Sequence, residues 1–293
     1  MTHFSRLEIF HAIPTRLGEG VCWHPARQTV WWIDILGRRF YEAPPGGGPP
    51  RVLECAQMIG AVAPTRTGGL VAALHEGIYL VDPDSGAMSP CAAPADHDAG
   101  NFRFNDGKVD PAGRFWAGTM ALDQRPGQSR LFRFGADRTV AVLREGVSVS
   151  NGIAWSPDNR TMYYIDSPTR TVQAFAFDLE HGTIGPPRVA IRFADTDGYP
   201  DGCTLDAEGH LWIAHWGAAK VTRWDMRAER LLETISLPVR NVTSCAFGGA
   251  QLNQLFITTA KDEKSAVVEP EAGYIFRLDP GTTGPELPGF AGS

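Results

Sequence analysis

No run of about 18 apolar residues interrupts the 293-residue chain, which excludes a membrane-spanning helix. No CxxC pair occurs among its five cysteines, Cys22, Cys55, Cys91, Cys203 and Cys245. An odd count without paired spacing argues against a disulfide framework and a structural zinc site, and for free thiols in a reducing compartment. Basic residues form no block, and 27 Lys and Arg face 33 Asp and Glu for a net charge of −6. Nucleic acid and anionic membrane both call for a clustered positive face, so neither is expected as a partner. The N-terminus MTHFSRLEIFHAIP lacks the charged start and long apolar stretch of a secretory signal. A cytoplasmic location is therefore expected. No GxSxG elbow and no Gly-rich phosphate loop ahead of a helix is present. Cys203 opens an apolar run, which fits burial better than reactivity.

What the chain does have is turn formers. Gly 32 and Pro 22 make up roughly 18% of residues against the usual ~12%. Little room is left for long helices, so many short strands are expected. Hydrophobic residues at 43% and charged residues at 20% fit a globular chain rather than a disordered one.

The strands repeat. Six segments share one grammar: a short apolar run, a turn rich in Pro, Asp and Gly, then an aromatic or β-branched run. They start at Glu19 (EGVCWHPARQTVWWID), Ile59 (IGAVAPTRTGGLVAAL), Asn105 (NDGKVDPAGRFWAGT), Asn151 (NGIAWSPDNRTMYYID), Asp201 (DGCTLDAEGHLWIAH) and Ser244 (SCAFGGAQLNQLFITT). Successive starts lie 40, 46, 46, 50 and 43 residues apart. Alternating segments such as GIYLVD, TVQAFAFD and KVTRWD follow, the pattern of half-buried strands. About four strands per unit is the arithmetic of a β-propeller blade. The expected fold is all-β, a six-bladed β-propeller in one domain over residues 1–293. The N-terminal RLEIFHAI is expected to add an outer strand to the last blade and close the ring. APPGGGPPR, from Ala43 to Arg51, falls inside the first unit and reads as a surface loop. The Gly- and Pro-rich tail after Pro280 is expected to be loosely ordered.

In a propeller the first strand of each blade lines the central channel. The residue just before it sits at one mouth, giving a ring of Glu19, Ile59, Asn105, Asn151, Asp201 and Ser244. The antiparallel second strand returns to that mouth and ends in Asp34, Leu74, Thr119, Asp166, His215 and Thr259. Two largely polar columns thus converge on one end of the channel, a binding-pocket expectation. Facing carboxylates repel, and a divalent cation removes that cost. Glu19 and Asp201 supply two negative charges, and Asn151 and Asn105 can add amide oxygens. Such hard donors suit calcium, magnesium or manganese, and carboxylate-rich zinc or iron(II) sites stay open. The competing reading is that these Asx and Glu residues cap turns. His215 is either a second acid or base or a hydrogen-bonded residue packed by Trp212 and Trp216. Asp34 and Asp166 read equally as supporting carboxylates or loop anchors.

LGEGVCWHP, RFNDGKVDPAGRFWAGTM, SNGIAWSPDNRTMYYIDS and YPDGCTLDAEGHLWIAHWG resemble the gluconolactonase/regucalcin (senescence marker protein) family, in family order at blade spacing. The resemblance implies a six-bladed propeller with one divalent metal and hydrolysis of a sugar lactone to the aldonic acid. It places metal ligands on Glu19, Asn151 and Asp201, with Asp201 also the general base. It places substrate contacts on Arg103 and Asn105. Some members carry a Glu just after AGTM, where the nearest acidic residue here is Asp123. That departure leaves open whether Asp123 binds the substrate. The expected partner is a small-molecule sugar lactone, and the expected state a monomer or weak homodimer. Two rival functions stay open: an aryl-ester or organophosphate hydrolase on the same propeller, and a non-catalytic metal-binding propeller.

Overall fold

The computed structural model describes residues 7–263 and 265–292. Its turns show why the chain breaks into short strands. DPAGRFW and DAEGHLW share the pattern Asp-x-x-Gly-x-x-Trp. In the first, one Asp110 oxygen accepts the Ala112 and Arg114 amides at 3.0 and 2.9 Å. The other accepts the Trp116 indole at 2.9 Å and Arg114 Nε at 2.6 Å. In the second, Asp206 accepts the Glu208 and His210 amides and the Trp212 indole in the same way. One side chain thereby closes the turn and pins an aromatic ring of the next strand.

The described residues form six four-stranded sheets, each a meander except the last. The innermost strands are Gly18–His24, Ile59–Pro64, Phe102–Val109, Ser150–Trp155, Tyr199–Leu205 and Val242–Gly248, which we number as blades 1 to 6. They pair antiparallel with Thr29–Asp34, Leu70–Leu74, Phe115–Ala121, Thr161–Asp166, His210–Trp216 and Gln254–Thr259. Blade 6 takes its outermost strand, Glu8–His11, from the N-terminus, so the ring closes as expected. The Ala43–Arg51 segment joins the two outer strands of blade 1. The fold is a six-bladed β-propeller. Among the described residues no helix is long and apolar enough to cross a membrane.

Apolar side chains pack between neighbouring blades. Trp31, Ile33 and Phe40 of blade 1 meet Val62, Leu70 and Ala72 of blade 2, and Trp32 stacks on Tyr41 with centroids 5.2 Å apart. Burial of such aromatics is the main stabilising term.

The tail after Pro280 departs from expectation: it is tied down. The Ala207 amide donates to the Thr283 carbonyl and Gly284 to Leu252. Phe290 bonds Pro64 and Arg66 through its backbone, and its ring is wholly buried against Phe115 between blades 2 and 3. A single aromatic anchor overrides the composition of the segment. Phe290→Ala is expected to cost about 3–5 kcal/mol of folding stability, read as a lower urea midpoint. An unchanged midpoint would mean the tail is not anchored through this ring.

Register also corrects the expected mouth ring. Each inner strand carries a bulge beside the mouth. Residues opposite Asp34, Leu74, Thr119, Asp166, His215 and Thr259 are Gly18, Ile59, Phe104, Ser150, Pro200 and Val242. The residue after each gives the true ring: Glu19, Gly60, Asn105, Asn151, Asp201 and Thr243. Ile59 and Ser244 therefore stand one position off it. A bulge sets two residues against one, so aligning on the first apolar residue slips by one where no polar residue marks the place.

Candidate active site

Glycine brings the ring residues together. At Gly60 an added Cβ would lie 2.4 Å from the Phe104 carbonyl carbon, and at Gly152 it would lie 2.7 Å from the Asp201 carbonyl oxygen. Only a residue without Cβ permits those approaches, so neighbouring inner strands close in. Blade 2 accordingly offers no side chain to the ring, and the glycine after Asn151 lets blades 4 and 5 meet.

Glu19, Arg103, Asn105, Asn151 and Asp201 line one cavity of about 380 Å³. All five are buried, at 5–8% exposure. Asn105 donates from Nδ2 to the Ser150 carbonyl at 2.8 Å and to Asn151 Oδ1 at 2.9 Å. Asn151 donates in turn to Ser167 Oγ at 2.7 Å, and Ser167 donates to the Pro200 carbonyl at 2.6 Å. Both Asn105 donors are thus consumed and its amide oxygen stays available. The Asn151 amide is clamped on both sides. Arg103 donates to the Phe104 carbonyl at 3.0 Å.

The electrostatics are those of crowded carboxylates. Burial, then Asp106, pushes Glu19 up to about 8, against the Gly20 amide and Arg103, which lower it. Burial, then Glu19 and Asp106, raises Asp201 well above the usual carboxylate range. Arg103 is pulled down to about 10 by burial, with Glu19 and Asp201 opposing. Asp106 and Lys108 stand below the ring on the same inner strand and line a smaller cavity of about 50 Å³. Burial raises Asp106 and Lys108 opposes it. Lys108 Nζ donates to the Cys203 carbonyl at 2.6 Å. Three carboxylates thus face two cations. That imbalance, with the hard oxygen donors of Glu19, Asn151 and Asp201 lining the cavity, fits a divalent cation held by those three residues.

Two expected site residues lie elsewhere. Asp123 is exposed, and one of its oxygens accepts the Arg125 amide and Nε at 3.1 and 3.0 Å. His215 does not line the cavity. Its Nδ1 donates to the Asp197 carbonyl at 2.9 Å and its Nε2 pairs with the Thr222 hydroxyl at 2.7 Å. Burial, then Lys220, lowers it to about 4. The whole second column turns away from the cavity. Asp34 accepts the Arg16 and Leu17 amides and Asp166 those of Ser148 and Val149. Asp34, Asp166 and His215 thus hold the segments entering the inner strands of blades 1, 4 and 5, so Asp34 and Asp166 act as loop anchors. Asp206, Glu208 and His210 also come together, but Arg223 and the Trp212 indole occupy Asp206, so this group is a turn network.

Residues that no sequence motif singles out complete the cavity wall: Gln124 from blade 3, Ser167 and Pro168 from blade 4, and Tyr199 and Trp216 from blade 5. Asp106 and Lys108 are visible within NDGK, but only the bulge register puts them on the channel face. Gln124 belongs to a loop whose course no periodicity marks, and Trp216 ends the second strand of blade 5.

Known proteins share this architecture. Residues 17–261 match the model of the SMP-30/Gluconolactonase/LRE-like region. Regucalcin of Danio rerio is 35% identical over 267 residues, 89% of this chain and 90% of its own. The crystal structure of a calcium-binding protein, regucalcin, from Agrobacterium tumefaciens superposes with a TM-score of 0.92 at 28% identity, covering 98% of this chain and 97% of that one. A gluconolactonase from Xanthomonas campestris superposes at 0.75 with 25% identity, covering 94% and 89%. The chain belongs to the SMP-30/gluconolactonase/LRE-like family.

Proposed function

We propose that this protein is a metal-dependent hydrolase that opens a sugar lactone to its aldonic acid. The observation that carries the reading is the meeting of Glu19, Asn151, Asp201, Arg103 and Asn105 in one buried cavity. The gluconolactonase activity named for the Xanthomonas protein supports the reaction class. Calcium-binding regucalcin supports a divalent ion; calcium, manganese, zinc, iron(II) and magnesium all accept this oxygen-donor set.

Glu19, Asn151 and Asp201 would hold the ion, which when bound supplies Lewis acidity toward a carbonyl oxygen. Asp201 takes a proton from the attacking water. Water's oxygen joins the carbonyl carbon, the bond from that carbon to the ring oxygen breaks, the released ring oxygen takes up the proton that Asp201 removed, and an open-chain hydroxy acid results. Arg103, fixed through the Phe104 carbonyl, stabilises negative charge building on the substrate. The free Asn105 amide oxygen accepts from a sugar hydroxyl, while its donors hold Asn151. Ser167 and Asn105 together fix the Asn151 side chain, Ser167 accepting from its amide N–H and Asn105 donating to its oxygen.

The test is proton release from a panel of pentono- and hexono-lactones. Metal-stripped protein receives calcium, manganese, zinc, iron(II) or magnesium singly, with spontaneous hydrolysis subtracted. Turnover only with metal is the expected result. The apolar part of the wall, Met120, Pro168, Tyr199 and Trp216, favours aryl esters as the second substrate class. Turnover of phenyl acetate and not of any lactone would transfer the assignment there. Metal binding without any turnover would leave a non-catalytic metal-binding propeller.

A further inference from the structure

Resting on the lactonase reading, we infer that Gln124 reads a substrate hydroxyl and sets specificity, with Tyr199 and Trp216 of blade 5 supplying the aromatic part of the same cavity wall. Hydroxyls entering a cavity need partners, and a site with unspent donors and acceptors recognises them. Several polar atoms in this wall are already spent. Asn105 has used its donors, and Ser167 both accepts from Asn151 and donates to Pro200. Among the described residues lining the cavity, the Gln124 side-chain amide makes no hydrogen bond within the chain, and it carries both a donor and an acceptor.

The backbone adds a second observation. Gln124 sits at φ +59°, a left-handed conformation that favours Gly or Asn. Its amide is tied to the Ala121 carbonyl at 3.0 Å. That turn carries the Gln124 side chain to the cavity rim. Its neighbour cannot substitute, because Asp123 is turned to Arg125, whose Nη2 in turn holds the Asn101 amide oxygen.

The aromatic part of the wall is held in place. Arg170 lies over the Tyr199 ring at 4.1 Å and donates to the Gly198 carbonyl at 2.6 Å. Tyr199 and Trp216 present ring surface, which packs on the C–H face of a sugar ring, while the indole N–H stays free for an oxygen. An amide and aromatic surface in one cavity suit a ring that carries hydroxyls. They would not distinguish simple apolar esters.

The experiment compares the best lactone with its singly deoxygenated analogues, using wild type, Gln124→Ala and Gln124→Gly. Both variants are expected to raise KM for the parent lactone about 3–10-fold, the value of a partly exposed neutral hydrogen bond, with kcat within about twofold. One deoxy analogue should show no such change, so that wild type's preference for the parent over it disappears. The inference is overturned if the parent KM stays at the wild-type value. It is also overturned if every analogue weakens equally, or if Gln124→Gly, which relaxes the backbone, restores wild-type KM. Absence of lactone turnover by wild type itself is a separate result: it removes the lactonase reading and this inference with it.

Discussion

Asp201→Asn should leave the propeller folded and cut lactone kcat/KM by about 10³-fold, within the range for loss of a general base. Few substitutions separate stability from function so cleanly. Asp201 is buried beside Glu19 and Asp106, and both raise its affinity for a proton. Without metal it therefore holds its proton to higher pH than an ordinary Asp, and asparagine has nearly the shape of that protonated carboxyl and no charge. The exchange gives up attraction to Arg103, but repulsion with Glu19 and Asp106 falls. Melting of the metal-free variant is expected at or above the wild-type Tm. Two losses accompany this: the group that accepts water's proton, and one of two anionic donors to the ion. Divalent affinity should fall by calorimetry, and excess metal should not restore turnover. Full activity in Asp201→Asn at saturating metal would remove Asp201 from the chemistry. A collapsed Tm would instead assign it to the fold.

Much of this site is legible in the amino-acid sequence. The fold follows from turn chemistry: Asp-x-x-Gly-x-x-Trp closes a turn and pins a tryptophan, so the period can be read from the residues that enforce it. The ring members Glu19, Asn105, Asn151 and Asp201 are legible because each precedes a glycine or an NDG step, and that glycine allows adjacent strands to approach. Blades 2 and 6 read one position off because the bulge has no side-chain signature where Gly60 and Thr243 occupy it. His215 misleads for a related reason. The end of the second strand does return to the mouth, but its side chain points to the segment entering the inner strand, as Asp34 and Asp166 do. Antiparallel order fixes where a residue lies, and pleat and bulge decide which way it faces. Phe290 shows the limit of composition: a loop-like segment is held in place when one aromatic finds a slot between blades.

A divalent ion should stabilise the fold strongly at pH 8 and weakly at pH 5.5. The sign follows from the carboxylates. Glu19 is raised from its ordinary 4.5 to about 8 in the folded, metal-free chain. Across that window the folded chain holds a proton that the unfolded chain has released. The associated stability is present below the ordinary value and is lost as pH rises through about 8. Asp201 shifts in the same direction. His215 works oppositely: lowered to about 4, it removes stability as pH falls from 6.5 through that value. The metal-free protein is thus squeezed from both sides, with the crowded carboxylates limiting it in alkali. A cation must displace the carboxyl protons to bind, so its affinity climbs with pH. At about 100-fold above its Kd, an ion contributes about 2.7 kcal/mol, roughly 5 °C in Tm for a chain of this size. Thermal melts at pH 5.5 and 8.0, with and without each ion, measure the difference. Calorimetry in buffers of different ionisation enthalpy should show proton release on binding at pH 7. A Tm gain that is equal at both pH values, or greater at 5.5, would place the ion away from Glu19 and Asp201. A gain that grows with pH and vanishes in Asp201→Asn would tie it to the charge imbalance at the channel mouth.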